Sequence, residues 1–309
     1  MWLVWAVGAI RRHRRLLLQP KVLARQAKDR LIDCSARPLI MGVVNVTPDS
    51  FYDGGRYFDA AAAVAHALQL IEEGADLLDI GAESTRPGAD AVSEAEERRR
   101  AIPVVSAVAK AVMVPISIDT SKAVVAQAAL DEGAVLVNDV TALRGDTAMV
   151  DVVARTGAGI VLMHMNGTPR TMQQAPHYDD VVGEISDFFE ERIRFATAHG
   201  IARKQIILDP GIGFGKLLQH NLTLIAELHR FMQYECPLLV GVSQKSFLGQ
   251  LITRPVQDRQ WATAAAVAMA VDRGAGILRV HDVGNMKDVV QVTMAISQLT
   301  IRSREAEHA

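Results

Sequence analysis

Residues 59–82 read DAAAAVAHALQLIEEGADLLDIGA. An Ala-rich amphipathic stretch runs to Glu73, a glycine follows at position 74, and a continuous apolar run comes next. That run is too short for an ordinary helix and does not alternate, which marks a parallel strand covered on both faces. A glycine at the junction suits the end of a helix, where a left-handed conformation excludes most other residues.

The same unit recurs in both directions along the chain. PLIMGVVNV precedes it, and VPISIDT, AVLVNDV, AGIVLMHM, QIILDPGI, PLLVGVS and AGILRVHDV follow. Amphipathic stretches such as KAVVAQAALDEG separate them, and Gly133, Gly157, Gly200 and Gly274 repeat the role of Gly74. Eight such units predict an α/β chain folded as a (βα)8 TIM barrel, a single domain over residues 37–303. Residues 1–36 read as an N-terminal extension and 304–309 as a C-terminal tail. A doubly wound open sheet is the alternative, weakened because no Gly-x-Gly-x-x-Gly follows the first strand.

The chain has 309 residues, half of them hydrophobic, and a formal net charge of −2. This balance points away from nucleic acid and toward small molecules. Cys34 and Cys236, the only two cysteines, show no metal-ligand or disulfide spacing, which suits a reducing, cytoplasmic setting. The opening MWLVWAVGAI is followed, not preceded, by RRHRR, which is the wrong order for a secretory signal. It is also short of the roughly 20 apolar residues of a stable membrane span. It reads as an extra helix packing Trp2 and Trp5 or as a start placed too early, with an interfacial anchor as the alternative.

Polar residues stand at or just past the ends of the apolar runs: Asn45, Glu83, Asp119, Asn138 with Asp139, His164, Asp209, Ser243 with Lys245, and Arg279 with His281. An isolated Asp or Asn after a strand commonly caps a turn. A succession of them points to one shared rim, since a barrel gathers its C-terminal strand ends at one mouth. Asn45, Thr85, Arg279 and His281, with Arg86 nearby, suit an anion, and an amide oxygen such as that of Asn45 can also ligate Mg²⁺. Asp119, Asn138, Asp209 and Lys245 suit the N–H and C=O edge of a flat heterocycle. His164, flanked by methionines, reads as a hydrogen-bonded structural residue rather than a proton carrier. DPGIGFGK is open between a plain turn and a close approach of backbone to a ring at Phe214. Ser246 is open between a helix cap and a carboxylate-binding hydroxyl.

Taken together, MGVVNVTPDSFYDGG, DIGAESTRPGA, SIDTSK, VNDV, LMHMNGTPRTMQ, LDPGIGFGK, GVSQKSFLG and LRVHDV resemble the dihydropteroate synthase family. The resemblance runs from about Pro38 to about Ser297. It implies a (βα)8 barrel that joins 6-hydroxymethyl-7,8-dihydropterin diphosphate to p-aminobenzoate and releases pyrophosphate with Mg²⁺ assistance. The displacement it implies is SN1-like, and the enzyme it implies is a sulfonamide target in folate biosynthesis. It implies that Asp119, Asn138, Asp209 and Lys245 hold the pterin against Met163. Asn45, Thr85, Arg279 and His281 would take the diphosphate, with Asn45 also the Mg²⁺ ligand. Phe51, Pro87, Phe214, Lys245 and Ser246 would surround p-aminobenzoate, while Asp53 and Arg86 would complete the closed site. A homodimer through outer helices is also implied.

The chain departs from the family at Gln244, usually Arg, at Ala262, commonly Gly, and in its basic N-terminal extension. Gln244 keeps one alternative in view, a pterin-binding paralogue that uses p-aminobenzoate poorly; a pterin-dependent methyltransferase-like barrel is another, against which SQKS and RVHDV, suited to a carboxylate and a diphosphate, argue.

Overall fold

The computed structural model describes residues 24–46, 60–85 and 88–306. Phe51, Asp53, Arg86 and Pro87, together with the apolar start of the chain, lie outside the described residues.

The strands of the barrel are β3 (Leu39–Asn45), β4 (Leu77–Gly81), β5 (Ile116–Asp119), β6 (Leu136–Asp139), β7 (Gly159–Met163), β8 (Ile206–Asp209), β9 (Leu239–Val240) and β10 (Ile277–Val280). They form an eight-stranded sheet in the order β8-β7-β6-β5-β4-β3-β10-β9, every neighbouring pair parallel. A parallel bridge between Leu208 and Leu238, with Leu208 N–H donating to Pro237 O at 3.0 Å, brings the two ends together. An open doubly wound sheet has no such contact. The helices are α1 (Ala60–Glu72), α2 (Glu94–Ala111), α3 (Ala123–Asp131), α4 (Met149–Thr156), α5 (Val181–Ala198), α6 (Leu218–Ala226), α7 (Ser246–Ile252), α8 (Gln260–Asp272) and α9 (Val283–Ala306). The glycines at 74, 133, 157, 200 and 274 all have positive φ, as their place before the strands predicts.

Strand parity sorts the core. Ile40, Val44, Leu78, Ile80, Ile118, Val137, Ile160, Leu208 and Leu278 join the helices in the main apolar cluster. Their neighbours Leu39, Met41, Leu77, Leu136, Val161, Ile207, Leu239 and Ile277 belong to a second cluster inside the barrel. That second cluster also holds Ala27 and Ile32, from an antiparallel hairpin of β1 (Ala24–Ala27) and β2 (Arg30–Asp33). Lys28 secures the hairpin turn, its N–H donating to Gly157 O at 2.8 Å and its Nζ to Leu130 O at 2.7 Å. The hairpin therefore plugs the N-terminal end of the barrel with apolar side chains.

Candidate active site

Further along these strands, two residues on in four of them and four residues on in β3, the inward positions change from apolar to polar. Met41 gives way to Asn45, Leu77 to Asp79, Leu136 to Asn138, Ile207 to Asp209, and Ile277 to Arg279. All of these lie toward the C-terminal ends of parallel strands, and hydrogen bonds gather Asp79, Asp119, Asn138 and Arg279 at the mouth.

Arg279 is the hub of that group. Its Nε donates to Asp79 Oδ2 at 2.6 Å and its Nη2 to Asp119 Oδ2 at 2.9 Å. Asn138 Nδ2 donates to the same Asp79 oxygen at 3.0 Å. The residues assigned separately to an anion set and a heterocycle set are thus joined through one guanidinium. Gly81 permits the crowding, since a Cβ there would sit 3.2 Å from the Asp119 Cβ. Burial raises the proton affinity of Asp119, the charge on Asp79 raises it further, and Arg279 opposes both. Asp79 Oδ1, Asn138 Oδ1 and Ser117 Oγ are buried without a hydrogen-bond partner among the described residues. Buried acceptors of this kind are nearly always satisfied, so they fit a ligand edge rich in N–H donors.

Asp209 lies on the far side of the mouth, where its Oδ1 accepts Gly211 N–H at 2.7 Å. Burial raises its proton affinity, while that hydrogen bond and the charges of Lys245, Lys216 and Arg279 lower it. Gly211 has φ of +66°, and a Cβ there would meet the His164 carbonyl oxygen at 1.9 Å, so the turn requires glycine. The loop it begins carries Phe214 and Lys216. Lys245 Nζ stands 4.1 Å from the Phe214 ring centroid, a cation–π contact. Phe214 in turn packs on Val140, Met163, Met165 and Met172, so Met163 does form part of an apolar wall.

Lys216 is buried, its Nζ 3.0 Å from His164 Nδ1 and donating to Phe214 O at 2.9 Å. Burial lowers its pKa to about 7, against the pull of Asp209. Burial and the nearby charges of Lys216 and Arg144 lower His164 to about 2, so its imidazole is neutral and accepts from the lysine. With its ring edge against Phe188 at 4.8 Å, His164 fixes the glycine-rich loop, in keeping with a structural residue.

Several rim residues have local partners. Asp139 accepts from Thr141 N–H, Thr141 Oγ1 and Leu143 N–H, the work of a turn cap. Glu83 accepts Val92 N–H at 3.0 Å and an ion pair from Lys122. Ser246 is exposed at the first position of α7, while the cap position belongs to Lys245. His281 Nδ1 lies 3.0 Å from Ser243 Oγ. Asn45 and Thr85 are half-buried. Thr85 borders a cavity of about 310 Å³ together with Asp119, Val140, Met165 and Arg170. Gln244 has φ of +59° and an exposed side chain, and its backbone is held by Thr263 Oγ1 and Arg259. The fold therefore grips the backbone at this position and leaves the side chain on the rim.

Sequence reading passed over Asp79 and Lys216. Asp79 lies inside an apolar run, yet it shares the inward face of its strand with Gly81, and that parity would have revealed it.

Residues 41–281 match the family described as Pterin binding enzyme. Dihydropteroate synthase of Escherichia coli K12 is 44% identical over 270 residues, covering 87% of this chain and 94% of that protein. The Neisseria meningitidis serogroup B enzyme of the same name is 48% identical over 265 residues, covering 84% and 93%. Among solved structures, Yersinia pestis dihydropteroate synthase in a sulfonamide drug complex superposes with a TM-score of 0.85 at 44% identity, covering 89% of this chain and 99% of that one. The Xanthomonas albilineans enzyme in complex with 7,8-dihydropteroate gives a TM-score of 0.80 at 43% identity, covering 88% and 98%. With this barrel, this mouth and these relatives, the chain belongs to the pterin-binding enzymes and, within them, to the dihydropteroate synthases.

Proposed function

We propose that the mouth joins 6-hydroxymethyl-7,8-dihydropterin diphosphate to p-aminobenzoate, giving 7,8-dihydropteroate and pyrophosphate. The observation that carries this reading is the buried acceptor layer of Asp79, Asp119, Asn138 and Asp209 held around Arg279. The amino-imino edge of a pterin offers the N–H donors these acceptors require, and Lys245 supplies a donor for the ring carbonyl. Nε and one Nη2 hydrogen of Arg279 serve the carboxylates, and the remaining guanidinium hydrogens suit diphosphate oxygens, with His281 and Thr85 alongside.

The displacement follows from that layout. The bond from the pterin methylene to the diphosphate oxygen breaks first, its electron pair leaving with the pyrophosphate. Cationic side chains stabilise the departing anion, while buried carboxylates stabilise the cationic methylene. The p-aminobenzoate nitrogen then forms the new C–N bond and loses a proton. Lys245, Phe214 and Ser246 border the place for the amine, and Phe51, Pro87, Asp53 and Arg86 would close it.

No cluster of three His, Cys, Asp or Glu side chains suited to a metal is found among the described residues. Mg²⁺ commonly uses one or two protein oxygens and takes the rest from phosphate and water, so a single amide, Asn45, fits that pattern. Bound there, Mg²⁺ would neutralise charge on the leaving diphosphate.

The assignment is tested by pyrophosphate release with purified protein. Release that requires p-aminobenzoate and Mg²⁺ together is the expected result, and absence of release with both substrates would end it. No observation favours a methyltransferase or an inactive paralogue, because Gln244 leaves the backbone course of the rim in place.

We also infer a homodimer. Trp261 and Met269 on α8 and Val292 and Ile296 on α9 are exposed, at 78%, 44%, 60% and 62%, on helices packed side by side. Light scattering should give twice the chain mass, and Val292→Asp with Ile296→Lys should halve it; an unchanged mass would place the interface elsewhere. Cys34 and Cys236 are both buried thiols, and among the described residues no helix is long and apolar enough to cross a membrane. The buried thiols, rather than any absence, support a proposed cytoplasmic setting.

A further inference from the structure

The loop that follows β8 carries Phe214 among glycines. Gly211, Gly213 and Gly215 all have positive φ, so the backbone on either side of the ring is permissive, and ring placement depends on ties to the barrel. The flanking residues have theirs. Gly213 N–H donates to Asn221 Oδ1 at 2.7 Å, Gln173 Nε2 to Gly213 O at 2.9 Å and Tyr178 OH to Gly215 O at 3.0 Å. The carbonyl of Phe214 itself is held by Lys216, whose Nζ donates to it at 2.9 Å. The same nitrogen lies 3.0 Å from His164 Nδ1 and 3.4 Å from His164 O. His164 follows β7 directly, and its N–H donates to Asp209 O at 2.9 Å, so this end of the strut is anchored in the sheet.

We infer that Lys216 is a positioning residue for the condensation: bonded at once to Phe214 O and to His164, it ties the glycine loop to the end of β7 and so sets the Phe214 ring on the p-aminobenzoate side of the mouth. Its three acceptors, two carbonyls and a neutral imidazole, carry no charge, a costly setting for a buried ammonium. What the lysine supplies there is reach and N–H donors. Burial lowers its pKa to about 7, and an uncharged amine still has two hydrogens, enough for the two shorter bonds. The strut therefore holds whether or not the nitrogen carries its extra proton. Lys216 is only 3% exposed, so it acts on substrate through the loop. The ring it steadies meets Lys245 Nζ at 4.1 Å from its centroid and packs on Val140, Met163, Met165 and Met172. Without the strut, Phe214 O and His164 Nδ1 lose their donor, and the ring is left to a backbone that glycine makes pliable.

This inference rests on the activity proposed above, and the test separates the two. Lys216→Met is compared with the parent protein at about pH 8, where an amine of this pKa is mostly uncharged. The substitution then removes donors rather than a charge near Asp209. The KM for p-aminobenzoate should rise roughly tenfold, with kcat and the calorimetric affinity for pterin diphosphate each within about threefold. In a Phe214→Leu background the same substitution should add less than about twofold to that KM, because the strut works through the ring. An unchanged KM, a roughly tenfold effect repeated in the Phe214→Leu background, or a loss of pterin affinity alone would each overturn the inference. Lys216→Gln keeps a donor for the Phe214 carbonyl but is too short to reach His164 as well, and should raise the KM by about threefold. If Lys216→Met does not fold, an unchanged KM in Lys216→Gln overturns the inference by itself. Should the parent protein release no pyrophosphate, the activity assignment fails. The strut is then read from p-aminobenzoate binding by calorimetry in the presence of pterin diphosphate, where weaker binding by Lys216→Met is expected and equal binding by the two proteins would overturn it.

Discussion

Arg279→Met is expected to lose both turnover and stability. The guanidinium joins Asp79 to Asp119 across the strands, and neither carboxylate has another cation in an ion pair among the described residues. Removing one partner of a buried pair typically costs about 3–5 kcal/mol, because the remaining charges stay in a poorly solvated place. Here two carboxylates are left facing each other. The sign of the pH dependence follows. Asp119 already binds its proton more tightly folded than unfolded, and the variant should bind it more tightly still. A carboxylate raised in this way destabilises the fold as pH climbs from its unfolded value of about 4 through its folded value. The gap in melting temperature between the two proteins should therefore be wider at about pH 8 than at about pH 5. Turnover should fall by at least about 10³, since the same group faces the leaving diphosphate. Equal melting temperatures at both pH values would show that the three side chains are not coupled.

Asp209→Asn is expected to separate binding from folding. Asn keeps an oxygen for Gly211 N–H, so the turn should persist and the melting temperature should move by only a few degrees. The ligand loses its acceptor and meets an amide N–H₂ in its place. A site whose hydrogen-bonding pattern is inverted in this way rejects its ligand by roughly 10³ or more. Calorimetry with pterin diphosphate should then give no measurable heat. Binding within about tenfold of the parent would remove Asp209 from the pterin pocket. Lys216 is affected as well, because Asp209 opposes the burial that lowers its pKa to about 7. In the variant Lys216 should titrate lower still.

The barrel was legible because its signal is local and repeated. Five helix termini announce themselves by a glycine, and the φ values at Gly74, Gly133 and Gly274 give the steric reason. Rim residues were legible as a group, since strand ends must converge, but their individual roles were not. Asp139 and Glu83 satisfy the same positional rule as Asp119, yet they serve the turns beside them. Asp79 was hidden among apolar neighbours, and only its face of the strand distinguishes it. Lys216 sits at the end of a glycine-rich loop, where a lysine normally points to water; its burial depends on His164 from another strand. The β1–β2 hairpin left no pattern at all, for among its described strand side chains Ala27 and Ile32 alone enter a core cluster. Gln244 is conspicuous in the sequence, but its side chain is exposed and the structure holds only its backbone.

The hairpin plug makes the barrel a well with a single opening. Its floor of Ala27, Ile32, Leu136 and Ile207 offers protons no wire to the opposite end. Asp119 and Asp209, both buried, therefore meet bulk water by way of the rim, and whatever enters the well must approach them from that one side.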